Sequence, residues 1–470
     1  MTMIPEFAII GHPNEGKSTV LATLAEDDSV RVSSTPGETI VCQTFPVRID
    51  GREMLRFTDT PGFQNPGRLL SELKNRFSES LDPIKDFRIY AATIPELHDD
   101  RELLAPLERG AGVIYIVDGS RPVRNVDKAE MEILRLSGRP RMAIINCKDD
   151  EEKHLPAWKN EFRKNFNSNR RFNGHRATYA ERISLLEALK SIDQDWQNIL
   201  EEVISVFKED WHNRNRVTVD IITTLLEESL HLKLIENISS TSNSKHARAK
   251  LFSRYSKELR LKETNAHTQI RRLFKHNIFN YKLPPHSLLH EDLFNQKTWQ
   301  LLGLAKNQIV IAGGISGAAL GAGLDVAALG HGLGMFTAVG CMAGALSAFL
   351  GGESVSNNLE IFGVSLGGKQ IQIGPTKSID LLFVLLNRSL LFYQYTINWA
   401  HGRRDYESLE QVSSSTARLS GFTRDWPASK IKICHTFLKS VQKANGNGGK
   451  PHDDFRKLLF EVIEGVTKKT

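Results

Sequence analysis

The feature that most constrains this chain is a glycine-rich loop between a short apolar run and a helix-like stretch near the N-terminus. Residues 7–10 are apolar, and GHPNEGKST follows them directly, before VLATLAE. Gly11, Gly16, Lys17 and Ser18 fill the pattern GxxxxGK[ST]. Such a loop closes its backbone N–H groups around phosphate oxygens, while the lysine neutralises them and the hydroxyl can ligate Mg²⁺. The order strand, loop, helix therefore predicts a phosphate-binding site in an α/β domain.

A second motif follows the next predicted strand. LRFTDTPGF places an alternating run, residues 55–58, directly before Asp59 and Gly62, which spell DxxG. An aspartate at a strand end can hold a Mg²⁺-bound water, and the Gly62 N–H can sense a terminal phosphate. Thr39, in the loop between the two motifs, either completes the metal shell or is an ordinary loop threonine. The expected Mg²⁺ ligands are Ser18, Thr39 and Asp59. The residues expected to act in catalysis are Lys17, Thr39 and Gly62.

These residues resemble the Era-type branch of bacterial GTPases over about residues 5–190. The resemblance rests on GHPNEGKST, on PGET with Thr39, on DTPG, and on GVIYIVDGSRP as a further buried strand. It implies a GTPase domain with a mostly parallel sheet flanked by helices, GTP and GDP as ligands, Mg²⁺, and hydrolysis of GTP. It also implies nucleotide contacts along the whole phosphate loop, including Glu15 and Thr19. Asn14 matches the loop asparagine that helps relatives to bind K⁺.

The residue after DTPG departs from what Ras-like proteins carry. Phe63 stands where those proteins have a catalytic glutamine. The transition state still needs an oriented water and added positive charge. Three sources stay open: a carboxylate such as Glu72, a K⁺ ion held by Asn14, or a partner chain, including a homodimer through the GTPase domain.

The base-reading motif also departs from the family, which has NKxD. After the predicted strand MAII the chain reads NCKDD, residues 146–150. In one register Asn146 and Asp149 keep the outer positions, and Cys147 replaces the lysine. In the other, Lys148 and Asp150 keep the inner pair, and Cys147 replaces the asparagine. Either register leaves one aspartate for guanine. The expected base-side contacts are Asn146, Lys148, Asp149, Asp150 and Ala177. The last of these matches the family's SAK-type loop.

The region 196–300 is predicted to be helical, because its apolar residues recur at helical spacing without strand-like alternation. Within it, residues 245–275 contain ten Lys or Arg against Glu258 and Glu263. A basic helix of this kind can follow an anionic membrane surface or RNA phosphates, or it is a solvated face of a long helix.

The segment 301–352 is rich in glycine and poor in charge. Residues 307–324 and 326–352 carry no charged side chain, so each run is long enough to cross a hydrocarbon core. Glycines four apart let two helix backbones touch closely. The segment is interpreted as a membrane hairpin that returns the chain to the cytoplasmic side, with a buried pair of soluble helices as the alternative.

The last part, 353–470, is predicted to contain a β-hairpin around Gly367 and a long apolar helix that carries Arg388. That helix is interpreted as core, because Asn387 and Arg388 interrupt its apolar run. NGNGGKPHDD is expected to be a linker before a short final helix. The expected domains are thus 1–195, 196–300, 301–352 and 353–470. This order resembles Era-like GTPases with a C-terminal domain of unknown function.

Charge and cysteine usage allow several partners. The formal net charge is +6 and the pI is about 9.0, which permits an anionic partner without requiring one. The four cysteines are scattered without a CxxC pair, which favours a reducing compartment. The start of the chain lacks a secretory pattern, so we expect a cytoplasmic protein associated with the inner membrane. The partners expected are anionic lipid or a membrane protein. The alternatives are an RNA- or ribosome-binding assembly GTPase and a nucleotide-binding protein with little hydrolysis.

Overall fold

A computed structural model describes residues 4–25, 41–49, 51–146, 153–174, 177–237, 244–274, 366–367, 370–376, 379–398, 421–443 and 449–469. The segment 301–352, Thr39 and residues 148–150 lie outside the described residues, so the predictions made for them stay predictions.

A six-stranded sheet with the order β2-β3-β1-β4-β5-β6 organises the N-terminal part. Its strands are β1 (Glu6–Ile10), β2 (Gln43–Ile49), β3 (Arg52–Asp59), β4 (Gly112–Asp118), β5 (Arg141–Asn146) and β6 (Ser168–Phe172). Only the pair β2 and β3 is antiparallel among these neighbours. The central strands are almost wholly buried, as expected for parallel strands covered on both faces.

Helices cover both faces of this sheet. They are α1 (Lys17–Ala25), α2 (Pro66–Arg76), α3 (Pro83–Ala91), α4 (His98–Leu103), α5 (Ala105–Glu108), α6 (Asn125–Leu136), α7 (Leu155–Asn165), α8 (Tyr179–Lys190) and α9 (Gln194–Leu230). Along β1, Phe7 and Ile9 face a core with α1, α8 and the start of α9, while Ala8 and Ile10 face a core with helices α2 to α7. The mostly parallel sheet with flanking helices confirms the predicted fold class.

The helix α9 belongs to two hydrophobic cores. Its first half buries Trp196, Leu200 and Phe207 against the sheet. Its second half buries Ile222 and Leu226 in the core of the C-terminal region. One unbroken helix of 37 residues therefore joins the two parts of the chain. The division of the chain at residue 195 remains a prediction.

The C-terminal region is mainly helical around a small sheet. Its elements are β7 (Leu234–Asn237), α10 (Ser244–Leu273), β8 (Leu366–Gly367), β9 (Gln370–Ile373), α11 (Ile379–Ile397), α12 (Ala428–Val441) and α13 (Lys450–Lys469). The strands pair antiparallel in the order β7-β9-β8. The helical C-terminal region with a β-hairpin was predicted, but two details were wrong.

The first error is that residues 196–300 were expected to lack strands. β7 is a strand because its four residues pair with β9, a partner that the local pattern does not reveal. The hairpin is accordingly part of a three-stranded sheet. The second error concerns the predicted linker before the final helix: α13 begins inside it, at Lys450.

The helix α11 is core, as predicted, and its charged residue has a buried partner. The Arg388 guanidinium donates hydrogen bonds to both carboxylate oxygens of Glu263 on α10, with Nη2 at 2.9 Å from Oε2. Both side chains are almost completely buried. In the described part of the chain, no helix combines the length and hydrophobicity that crossing a membrane requires.

Candidate functional site

Three predicted motifs meet at one edge of the sheet. The phosphate loop follows β1, DTPG begins at the last residue of β3, and Asn146 ends β5. These strands are parallel within the same sheet, so their carboxyl ends lie at a common edge. Ligands of open α/β sheets bind at this edge, where neighbouring connections diverge to opposite faces. The geometry therefore brings the separate sequence motifs into one site.

The phosphate loop has the backbone of an anion cradle. Asn14 and Gly16 have φ angles of 67° and 89°, and α1 starts at the next residue, Lys17. Gly11 must be glycine, because a Cβ there would lie 2.3 Å from the carbonyl oxygen of Ile116. Turning N–H groups inward in this way creates a concave anion site at a helix N-terminus.

Lys17 closes the loop over this cradle. Its Nζ donates to the carbonyl oxygens of Gly11 and His12 at 3.1 and 3.2 Å. Burial lowers the pKa of the Lys17 ammonium, and the Asp59 carboxylate opposes that shift. An ammonium whose protein partners are mainly carbonyl oxygens can turn to phosphate oxygens, which carry full charge.

The motif DTPG is docked against the phosphate loop. The Ser18 hydroxyl donates to Asp59 Oδ2 at 3.3 Å, which places the two expected Mg²⁺ ligands side by side. Thr60 donates from its hydroxyl to the carbonyl of Ile9 at 2.8 Å. Gly62 abuts Pro13, since a Cβ at Gly62 would meet the proline ring at 2.8 Å. Any larger residue at position 62 would therefore force the phosphate loop to move.

Phe63 and Glu72, which bear on how the water is positioned, make other contacts in the structure. Phe63 is 1% exposed and lies in the hydrophobic core beside Leu69. Glu72 lies on α2, where it accepts a hydrogen bond from Arg76 Nε at 2.7 Å. An apolar buried ring cannot orient water.

Asn146 is a fully buried connector between loops. Its side-chain amide donates to the carbonyl of Glu15 at 3.1 Å, and its amide oxygen accepts from Gly174 N–H at 3.3 Å. Ala177, buried in the same β6–α8 connection, donates its N–H to the carbonyl of Asn173 at 2.7 Å. Asn146 thus fastens the phosphate loop to the connection that contains Ala177.

Sequence reasoning missed a charged network beneath the phosphate loop. Arg121 donates to Glu15 Oε1 from Nε at 2.8 Å and also from Nη2. It forms a bidentate pair with Asp127, at 2.8 and 3.0 Å. Its guanidinium lies 5.1 Å from the ring centroid of Trp158. A carboxylate inside a phosphate-binding loop was the available signal, because such a group needs a nearby cation.

A second missed network lies on the other side of the loop. His12 Nδ1 is 2.9 Å from Glu130 Oε1, and the Tyr115 hydroxyl donates to Glu130 Oε2 at 2.7 Å. Glu130 is fully buried. These contacts anchor the start of the phosphate loop to β4 and α6.

Metal binding at this site would differ from a carboxylate-rich centre. Across the described residues, no three His, Cys, Asp or Glu side chains are grouped to hold a metal ion. Ser18 and Asp59 supply one hydroxyl and one carboxylate, a donor set that suits Mg²⁺ when phosphate oxygens complete the shell.

Two known families match different parts of this chain. Residues 6–147 match the family described as 50S ribosome-binding GTPase. Residues 159–464, more than half of the chain, match the domain of unknown function DUF3482. The chain is a bacterial TrmE-Era-EngA-type GTPase with a C-terminal DUF3482 domain. The GTP-binding domain of this GTPase is therefore its N-terminal α/β part.

The similarity of this GTPase to individual proteins is limited to part of each chain. GTPase Der of Agathobacter rectalis is 28% identical over 149 residues, which cover 32% of this chain and 29% of Der. The probable GTP-binding protein EngB of Koribacter versatilis is 30% identical over 148 residues, which cover 31% of this chain and 63% of EngB. The matched region thus spans less than two thirds of either relative.

One solved structure also matches part of this chain. An Era variant of Aquifex aeolicus, bound to GDP and AlF4⁻, matches with a TM-score of 0.28 and 14% identity. The match covers 58% of this chain and 90% of Era.

Proposed function

We propose that this protein hydrolyses GTP to GDP and phosphate and acts as a nucleotide-dependent switch. The observation that carries the proposal is the meeting of Lys17, the Ser18–Asp59 pair and Gly62 around one phosphate cradle. The cradle binds and neutralises phosphate oxygens. The Gly62 N–H, placed against the loop, can report whether a terminal phosphate is present.

For the base, we propose that Asp149 reads guanine. Asn146 makes hydrogen bonds within the protein through both its amide nitrogen and its amide oxygen, so it positions the loops around the base site. This role suits the asparagine that begins the family's NKxD pattern. In that register Cys147 takes the lysine position and Asp149 is left to accept from the guanine N–H groups.

Mg²⁺ would be held by Ser18, Thr39 and Asp59, and K⁺ beside Asn14, where they would neutralise phosphate charge. Since Phe63 is buried and Glu72 is paired with Arg76, the oriented water needs another source. We propose that K⁺ at Asn14 or a second GTPase domain supplies the missing positive charge.

The switch would reach the C-terminal region through α9 and one aromatic stack. Tyr179, at the start of α8, stacks on Trp211 of α9 with ring centroids 3.9 Å apart. Trp211 in turn contacts Phe274, beyond the end of α10, edge to face at 5.0 Å. The loop before α8 contains Ala177, so a nucleotide-dependent shift there would be transmitted to the second core.

For the partner, we propose an anionic surface that contacts α10. Lys250, Arg254 and Lys257 are exposed at helical spacing, opposite the buried Leu251 and Tyr255. Arg254 forms a long ion pair with Glu236, with 3.8 Å between the nitrogen and the carboxylate oxygen. An anionic inner-membrane surface and RNA or a ribosome both offer closely spaced phosphates to such a face.

The proposed hydrolysis is tested with Lys17→Ala. We expect loss of GTP binding in calorimetry and loss of phosphate release, while Lys159→Ala on the exposed face of α7 keeps both. Unchanged GTP affinity in Lys17→Ala would overturn the assignment of the loop. Phosphate release should be faster in K⁺ than in Na⁺; binding without turnover in either salt would make the protein a nucleotide binder with little hydrolysis.

The partner is tested separately by sedimentation of the full chain with ribosomes and with vesicles that contain anionic lipid. Charge reversal at Lys250 and Lys257 should abolish whichever association is found. Recovery in the membrane pellet after alkaline carbonate would support an integral anchor. Association with ribosomes alone would favour the RNA version.

A further inference from the structure

The side chain of Glu15 faces away from the phosphate cradle. It is 3% exposed, and its Oε2 accepts the backbone N–H of Asp118. Its Oε1 is taken by Arg121. Only the backbone of Glu15 is therefore left to contact a nucleotide, while the carboxylate lies under the loop that must bind several negative phosphates.

Arg121 is fixed in place by groups other than Glu15. Asp127 binds it bidentately and is itself fully buried, with a further hydrogen bond from the Arg124 N–H at 2.7 Å. The ring of Trp158 covers the guanidinium, and Trp158 Nε1 donates to the Arg121 carbonyl at 2.8 Å. The cation is thus preorganised beneath the loop rather than recruited by it.

We propose that Arg121 is a positioning residue of the nucleotide site, which neutralises Glu15 and keeps the phosphate loop in its binding conformation. The inference rests on the proposed binding of GTP. Without the guanidinium, Glu15 would lose its nearest cation and keep only the more distant Arg124, 3.8 Å away, so the buried carboxylate would either repel phosphate or turn to solvent and distort the loop. Trp158 lies on α7, so Arg121 also links the phosphate loop to the helix that follows the base-reading segment.

The test measures the affinity of the full chain for a fluorescent GTP analogue. We expect Arg121→Ala to weaken binding at least tenfold. Arg121→Ala combined with Glu15→Gln should recover to within about threefold of the unchanged protein, because the neutral amide does not need a cation. Arg124→Ala is the matched control, because Arg124 also pairs with Asp127 but lies 3.8 Å from Glu15; it should stay within about threefold.

The outcomes separate two failures. No binding by the unchanged protein would overturn the proposed function itself. Binding by the unchanged protein, with equal losses in Arg121→Ala and in the double variant, would overturn the positioning role. If Arg121→Ala does not fold, Arg121→Gln replaces it, with and without Glu15→Gln, and the same recovery is required.

Discussion

The side-chain amide of Asn146 donates a 3.1 Å hydrogen bond to the backbone carbonyl of Glu15, so the end of β5 is bonded to the phosphate loop. Its amide oxygen accepts from Gly174, which includes the β6–α8 connection in the same junction. Asn146 therefore holds the phosphate loop and the β6–α8 connection together. We propose, from this role of Asn146, the register in which Asp149 is the base-reading carboxylate.

Asp149→Asn should exchange the base preference. A carboxylate accepts from two guanine N–H groups, and such hydrogen bonds to a charged group contribute about 1.5–3 kcal/mol. Binding of GTP should fall ten- to a hundredfold, while binding of xanthosine triphosphate, whose 2-oxo group accepts from an amide, should improve. Calorimetry with both nucleotides measures this. Asp150→Asn is the control and should behave like the unchanged protein; the reverse pattern would establish the other register.

Tyr179→Ala should uncouple the nucleotide site from the C-terminal core. The stack of Tyr179 on Trp211 is lost, while the capping box between Thr178 and Glu181 still starts α8. We expect the rates of hydrogen exchange in the second half of α9 and in α10 to become the same with GTP as with GDP. Tyr179→Phe keeps the ring and removes the hydroxyl that donates to the Phe207 carbonyl at 3.2 Å, so it should keep the response. An unaltered response in the alanine variant would rule out this route.

Glu263→Gln should strongly destabilise the C-terminal core. Breaking a buried ion pair from one side leaves an uncompensated charge and costs about 3–5 kcal/mol. Arg388 has 4% of its side chain exposed, so solvent cannot replace the lost partner. Urea unfolding, monitored by hydrogen exchange in α10 and α11, measures the loss in the free energy of unfolding. Glu263→Met with Arg388→Met should recover most of the loss, and a double variant as unstable as the single one would contradict this account.

The stability of the same core should fall as the pH falls from neutral to about 4. His267 stacks on Phe392 with ring centroids 4.1 Å apart. Burial lowers the pKa of His267 from 6.5 to about 4, while Glu263 raises it and Arg388 lowers it. The folded state therefore binds a proton less readily than the unfolded state, so this contribution is complete above pH 6.5 and is lost as the pH falls through 4.

Lowering the pKa of His267 from 6.5 to about 4 corresponds to a loss of about 3 kcal/mol in the free energy of unfolding at low pH. The difference between the urea midpoints at pH 7 and pH 4 should therefore be smaller in His267→Phe than in the unchanged protein. His98→Phe, at an exposed position on α4, is the control and should keep the full decline. A decline in His267→Phe as steep as in the unchanged protein would contradict the role of this ring.

Much of the nucleotide site could be predicted because its signals are local. The phosphate loop needs glycine at Gly11 for space and a helix that starts at Lys17, and both requirements are written in nine consecutive residues. The apolar runs before each motif predict buried parallel strands, and parallel strands end at one edge. The fold class of the N-terminal part followed from the same pattern.

The C-terminal region was harder to predict from the chain. The alternation in β7 extends over four residues, too few to distinguish a strand from a turn of helix. Its state is decided by pairing with β9. Likewise, the charge on α11 pointed to core rather than to a membrane span, but only the folded chain identifies Glu263 as its partner, 125 residues away.

The sequence by itself determined the backbone of the proposed phosphate loop, because the geometry of that loop depends on residues next to one another. It did not determine what holds the loop in place. Arg121 lies 106 residues from Glu15, and Asn146 lies 131 residues from the carbonyl it binds. Such contacts depend on which strands become neighbours in the sheet. The tertiary structure alone therefore decided how charge is balanced beneath the loop and how the site is joined to the rest of the chain.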